Sequence, residues 1–368
     1  MKTELHPPPP LTPAAAAAAL STVREALQAR RWAEAQQQAE AALNAGLNGP
    51  AQGEMLLLLA QSHWWLGHLH RVHRPALRAA VLPGTPGLRI TALGLAALAL
   101  SELGLADEAL PLALQGLELA RQPAQHEHLS GALSRTAHVH ARLGDLESSE
   151  LLHMQALSMA REASEPATLL QAYCNLLLSC SLAHEELQEQ DQTDAARAAL
   201  ERGLRHLSHA RSLLLDARLD GEHRAALELA LGRLLLLAER LDEAEPLLQR
   251  SIAASERLSS SYYLRSARQA LAELYRRRGR PAEALVLLEG GLLDPERQPG
   301  LDLQIAALRS AQACQQALSR AEAAAVQAAA LHQALAQREA MRRQARQSLE
   351  APSQFGTLEA LRATGSMR

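Results

Sequence analysis

The stretch "QSHWWLGHLHRVHR", Gln61 to Arg74, gathers the side chains best suited to chemistry. It holds two of the three tryptophans and four of the fifteen histidines. Imidazoles bind metals, and tryptophans anchor partners. His70 and His73 are three apart, as are His206 and His209, a spacing that puts both rings on one face of a helix. A structural zinc site wants four ligands, and no cysteine or carboxylate accompanies either pair locally. His126/His128 and His138/His140 are two apart and point to different faces. No CxxCH is present for a c-type haem. The histidines therefore read as partly exposed helix residues, and neither a metal nor a cofactor is expected.

Other chemistry is equally unsupported. The chain lacks GxxxxGK[ST], HExxH and GxSxG, and it has no GxGxxG following a strand. Cys174, Cys180 and Cys314 form no CxxC pair, which suits a reducing compartment. Net charge is −3, so the chain has no general attraction for nucleic acid. The basic clusters "YRRRGR" and "MRRQAR" read as solvated helix ends. "MKTELHPPPP" has no signal-peptide form. The apolar run "ITALGLAALAL" stops at Ser101 and Glu102, short of a membrane span. The expectation is a cytoplasmic, non-enzymatic protein that binds neither nucleic acid nor membrane.

What elements position these residues? Apolar residues make up 48% of the 368-residue chain, mostly Ala and Leu, and aromatics only 2%. That balance favours an all-α fold over sheets. Helical periodicity runs from about residue 14 to 350, interrupted by short turns. "ELGLADEALPLALQGLELAR" (102–121), "RLGDLESSELLHMQALSMAR" (142–161) and "RRGRPAEALVLLEGGLL" (277–293) share one form: a helix end, a Gly, a short turn and a second helix. A small residue one turn into the second helix serves as an anchor: Ala35, Val72, Ala109, Ser149, Ala196, Ala244, Ala284 and Ala323. Seven residues later stands another small residue: Ala42, Ala79, Gly116, Ala156, Gly203, Ser251, Gly291 and Ala330. Twelve before the anchor stands a third: Ala60, Ala97, Ala137, Gly232, Ala272 and Ala311, with Val23 a looser match. Small residues at all three places let stacked helix pairs approach closely.

On these residues the chain resembles the tetratricopeptide repeat (TPR) family over roughly residues 14–330. "ELGLADEAL" and "RRGRPAEALVLLE" match the family's turn and second-helix start. Trp32 fills the aromatic slot after the turn, where Leu69, Leu146 and Leu241 stand elsewhere. The interval of 37 to 40 residues for most units exceeds the usual ~34. Such long units recur in bacterial signalling proteins, including sensor regions of LuxR-type activators and peptide-binding quorum regulators. The resemblance implies a right-handed superhelical solenoid of about seven to eight helical hairpins. Residues 1–13 form a Pro-rich disordered tail, and 14–330 the array. An insertion at about 182–193 lengthens the fifth unit's helices or its loop. Residues 331–350 form a charged C-terminal capping helix, and 351–368 a weakly ordered tail with a short amphipathic segment at Phe355, Leu358 and Leu361. A charged terminal helix also resembles linkers to catalytic output domains, and no such domain follows here.

In the family, the first helix of each hairpin lines the concave groove. Residues one, four and five after its small position face the ligand. This carries Gln61, Trp64 and Trp65 into the groove, then Leu98, Ser101 and Glu102, and then His138, Ala141 and Arg142. Asn175 follows if Cys174 is the fifth unit's small residue, then Arg233, and then Glu273, Arg276 and Arg277. Exposed tryptophans in an aromatic-poor chain suggest a binding hot spot. Trp65 could equally cover the hairpin end and pack on the neighbouring repeat. Asn175, Arg142, Arg233 and Arg276 could form a polar ladder for a peptide backbone and its carboxylates. The functional expectation is a TPR adaptor or sensor that binds a protein or peptide in its groove. The alternative is a regulatory sensor module of a bacterial signalling system, acting through a separate or missing output domain.

Overall fold

A computed structural model of the chain describes residues 11–162, 166–216, 221–257, 261–290, 292–293 and 301–350. The expected Pro-rich tail, up to residue 10, and the segment 351–368 lie outside the described residues. Among those described there are seventeen α-helices and no strand. Sixteen helices form eight hairpins. In chain order these are α1 (Pro13–Gln28) with α2 (Trp32–Asn44), α3 (Gly49–Trp65) with α4 (Leu69–Val81), and α5 (Pro86–Glu102) with α6 (Ala106–Ala120). Then come α7 (His126–Arg142) with α8 (Leu146–Glu162), α9 (Pro166–Glu189) with α10 (Thr193–Arg205), and a short extra helix, α11 (Leu207–Leu213). The last three pairs are α12 (Gly221–Leu237) with α13 (Leu241–Arg257), α14 (Ser261–Arg277) with α15 (Pro281–Glu289), and α16 (Leu301–Ala317) with α17 (Ala321–Glu350). The chain divides into two compact units, one of residues 1–135 with 341–368 and one of residues 136–340.

One backbone device makes every hairpin. Each turn contains a single residue in the left-handed region: Arg30, Gly67, Gly104, Gly144, Asp191, Glu239, Gly279 and Ser319. The N–H that follows donates to the carbonyl five residues back. Examples are Arg31 to Ala26 at 2.8 Å, Leu105 to Leu100 at 2.9 Å, Gln192 to Leu187 at 2.8 Å and Arg320 to Gln315 at 2.9 Å. This bond satisfies a carbonyl that the first helix would otherwise leave open, and it reverses the chain within three residues. Four of the eight positions are not glycine, which explains why a glycine search misses half of the turns.

The small residues behave as their spacing implies. Ala35, Val72, Ala109, Ala196, Ala244 and Ala284 are fully buried, as are Ala60, Ala97, Ala137, Ala272 and Ala311. At Gly232 an added Cβ would run into Leu248 at 2.7 Å, so nothing larger fits. Ser251 Oγ donates to the Ala225 carbonyl at 2.8 Å and so enters the core without an unpaired hydroxyl. In the eighth hairpin the anchor is the buried Ala324, not Ala323. Its N–H donates to Arg320 O, four residues back, as the anchors do in the other turns except at Val72. Gly291 lies outside the described residues.

One element takes one of the two expected forms and one differs from the sequence expectation. The extra residues of the fifth unit lengthen its first helix: α9 has 24 residues where α3, α5, α7, α12, α14 and α16 have 17. Seven residues are about two turns, so the extension preserves which face meets the core. The helix expected at 331–350 is the second half of α17, which runs 30 residues without a break. No Gly or Pro occurs between Ala321 and Glu350 to stop it. The final part of α17 belongs to the first unit. There Arg342 Nε donates to the Leu103 carbonyl at 2.5 Å, Arg346 pairs with Glu108 at 2.9 Å, and Ala345 is buried.

The turn device is testable at its two simplest positions. A Cβ at Gly279 would touch nothing within 4 Å, so Gly279→Ala isolates the backbone cost of a left-handed alanine. Gly279→Ala should destabilise by about 1 kcal/mol, and Ser319→Gly, at an exposed turn, should stabilise by roughly 0.5–1 kcal/mol. Urea unfolding midpoints measure both, and opposite signs are required.

Candidate functional site

Within each unit the first helices carry the second helices on one side, and their remaining partly exposed residues form a candidate surface. The left-handed residue of each turn fixes the register of this strip. In the second hairpin it presents Gln61, Trp64 and Trp65, all half-buried. In the third it presents Leu98 and Glu102, with Ser101 fully buried between them. In the fourth it presents His138 and Arg142, with Ala141 buried.

Trp65 stacks on Trp32, with ring centroids 5.2 Å apart and planes 16° from parallel. Trp32 opens the second helix of the preceding hairpin, so this stack is a seam between hairpins, worth about 0.5–1.5 kcal/mol beyond its area. Trp64 is different. Its equivalents in the next two hairpins, Ser101 and Ala141, are buried, whereas Leu27 of the first hairpin is half-buried. A tryptophan is too large to be enclosed where a serine or an alanine fits, so part of its ring stays in the open on the first-helix face.

In the second unit, the arginines expected to await a ligand meet carboxylates of other helices or of their own helix one turn away. Arg142 lies 3.3 Å from Glu186, and Arg233 pairs with Glu185 at 2.9 Å. Arg276 and Arg277 both bind Glu273, at 2.6 and 2.9 Å, and Arg277 also reaches Glu239. Ser310 donates to the same Glu273 at 3.1 Å, and Arg309 joins Glu189 at 2.6 Å. Glu273 is held below the usual carboxylate range; burial pushes its pKa up, but the two arginines outweigh it. The arginines are thus paired internally, and those at 142, 233 and 277 tie successive hairpins together.

In the fifth hairpin the turn at Asp191 sets a register different from the one expected from Cys174. Counting back from the turn at Asp191 puts the small position at His184, not Cys174. His184 fits there because its Nδ1 lies 2.8 Å from the carbonyl of the anchor Ala196. The strip in this hairpin is therefore Glu185, Gln188 and Glu189. Asn175 lies ten residues before Glu185 and accepts from Gln171 Nε2 of its own helix at 2.9 Å. The usable signal was the turn itself: "QDQTDAA" aligns with "RLDEA" once a left-handed residue is allowed to be Asp or Glu.

Two of the four histidines of the opening stretch are core residues, and His68 and His70 are partly exposed. His63 and His73 are buried. Burial lowers the pKa of each to about 4, assisted by His68 for His63 and by Arg74 for His73. His68 lies against His63 with ring centroids 5.9 Å apart. Among the described residues no group of three or more His, Cys, Asp or Glu is arranged to hold a metal. In the second unit His153 is buried with neither ring nitrogen hydrogen-bonded, and burial lowers its pKa to about 3. It lines a cavity of about 10 Å³ with Glu150, Ser179, Cys180, Arg202 and His206, room for a single water. Burial raises the Cys180 thiol to about 12 and the Cys174 thiol still higher, so both stay protonated at neutral pH. No described helix is long and apolar enough to cross a membrane.

Residues 222–289 match the tetratricopeptide repeat family. A comparison with curated proteins finds no match. Among solved structures, a Rap protein complexed with competence and sporulation factor is similar in fold, with a TM-score of 0.59 and 14% identity over 88% of this chain and 87% of that one. The apo form of the quorum sensor NprR from B. thuringiensis aligns with a TM-score of 0.42 and 11% identity over 86% of this chain and 98% of that one.

The buried histidines make stability depend on pH with a definite sign. Unfolded, they titrate near 6.5; folded, only near 4 for His63 and His73 and near 3 for His153. Their stabilising effect is complete above about pH 6.5 and is lost as pH falls toward those folded values. Each adds up to about 1.4 kcal/mol per pH unit within its window. Replacing His153 with Met should flatten this acid limb in urea unfolding measured from pH 7 downward. An unchanged slope would contradict the assignment.

Proposed function

We propose, taking the tetratricopeptide-repeat fold as premise, that this chain is a binding protein that takes a peptide or a peptide-like segment of a protein on its first-helix face. Trp64 carries the reading. It is a large aromatic left partly open at a position where the next two hairpins bury a serine and an alanine. Aromatics of this kind dominate the energy of interfaces because they exclude water over a large area at little entropic cost. The partly exposed strip of Gln61, Trp64, Leu98 and Glu102 adds apolar and polar contacts on the same unit. The surrounding chemistry supports binding over catalysis: the buried thiols stay protonated, and the cavity beside His153 has room for water only.

A second reading, a regulatory sensor whose output belongs to another protein, draws on one observation. The Rap protein that shares the fold over most of both chains was solved with a bound factor. In this reading the ligand shifts the balance between arrangements of hairpins, and the ion pairs that tie the hairpins together set how far it can shift.

Peptides selected from a random-sequence library against the full chain test the site. Trp64→Ala should weaken the selected peptides about 10- to 100-fold while leaving the helical signal intact. Leu151→Ala, an exposed leucine on the second helix α8, should leave affinity unchanged. Equal affinities for wild type and Trp64→Ala would overturn the site.

A further inference from the structure

The second helix α4 carries a charge pattern that its neighbours lack. Residues 55–101 hold four arginines and no Asp or Glu, in a chain whose net charge is −3. Three of the four, Arg71, Arg74 and Arg78, follow one another on α4 at spacings of three and four, so they share one face. The opposite face buries Val72, His73, Ala76, Ala79 and Ala80. Arg71 and Arg74 are exposed, Arg78 is half-buried, and the stripe ends on the exposed Val81. The other seven second helices have a carboxylate in the first turn, which suits the helix dipole, whereas α4 has Arg71 there. Among the described residues no carboxylate pairs with Arg71 or Arg74. The acids of the flanking second helices are turned elsewhere: Glu34 pairs with Arg31, Glu40 accepts from Gln36, and Glu108 pairs with Arg346.

The next second helix, α6, is the complement. It carries three acids and no cation. Its exposed stripe is Asp107, Pro111, Leu114 and Glu118. Glu118 meets the exposed Arg121 at 3.8 Å, a contact of little energy. The stripes span about 15 Å of α4 and about 17 Å of α6. Each includes one exposed large apolar side chain, Val81 and Leu114, and among the described residues of the first unit these are the only two.

Opposite charges on one surface dictate how that surface can pair with itself. Both helices pack on α5 and run antiparallel to it, so they are parallel to each other. A two-fold axis along the helices lays α4 of one copy on α6 of the other, and the contact occurs twice. A two-fold axis across them would set arginine against arginine. A long polyanion such as nucleic acid fits less well, because it would run from the α4 stripe onto α2 or α6, which carry acids and no cation.

We propose that the exposed stripes of α4 and α6 are an interface between two copies of this chain, with α4 of each copy lying on α6 of the other. Val81 and Leu114 supply apolar contact, and the arginines and carboxylates set the orientation. The interface uses the second helices, not the first-helix face of Trp64, and it does not rest on the ligand reading above.

Sedimentation of the full chain over a range of concentrations tests the proposal through a charge swap. The unaltered chain should sediment as a dimer that rising salt weakens. Arg71→Glu with Arg74→Glu, or Asp107→Lys with Glu118→Lys, should each weaken self-association about 100-fold or more while leaving the helical signal intact. Mixing the two altered chains restores opposite charges at both contacts, so a heterodimer should form. A chain that stays monomeric at every concentration overturns the proposal. So do a dimer indifferent to salt and to both reversals, and altered monomers that fail to pair when mixed.

Discussion

Every hairpin in this protein depends on one hydrogen bond: the N–H after a left-handed residue donating to the carbonyl five residues back. It closes the first helix and starts the second helix antiparallel to it. Because the turn has the same length each time, the anchor falls five residues after the left-handed position in all eight hairpins. That constancy puts a small residue where two helices touch, and it fixes which residues of the first helix remain on the open face. The fold, the core and the candidate site share this single register.

The same constraint explains where the sequence was legible and where it was not. Gly67, Gly104, Gly144 and Gly279 announce their turns, because only glycine takes the left-handed region without strain. Arg30, Asp191, Glu239 and Ser319 do not announce theirs, and those turns were found through the alanine spacing. The alanine spacing breaks in the fifth hairpin, where His184 replaces the small residue and satisfies its ring through the anchor's own carbonyl. A search for small residues must then settle on Cys174, ten residues too early, which displaces Asn175 into the ladder and hides Glu185 and Glu186. The boundary at 331 failed for a different reason. A change of surface composition is not a helix stop, and α17 contains none.

Polar ladders could be listed from sequence, but not resolved into internal and ligand-facing charges. Arg142, Arg233, Arg276 and Arg277 look alike as letters. Their carboxylates sit on other helices or one turn away, and pairing across helices depends on packing that spacing does not encode. The distinction matters for function. A paired arginine holds helices together and offers a ligand little. Trp64 and Trp65 separate in the same way: one ring is spent on Trp32 and its neighbour remains open.

The central claim is that ligands bind the open strip of the first helices. Hydrogen exchange followed by mass spectrometry, on the full chain with and without a library-selected peptide, tests it most directly. The account predicts that peptide slows exchange in α3, α5 and α7 and leaves α4, α6 and α8 unchanged. Protection centred on the second helices, with the first helices unaffected, would contradict it.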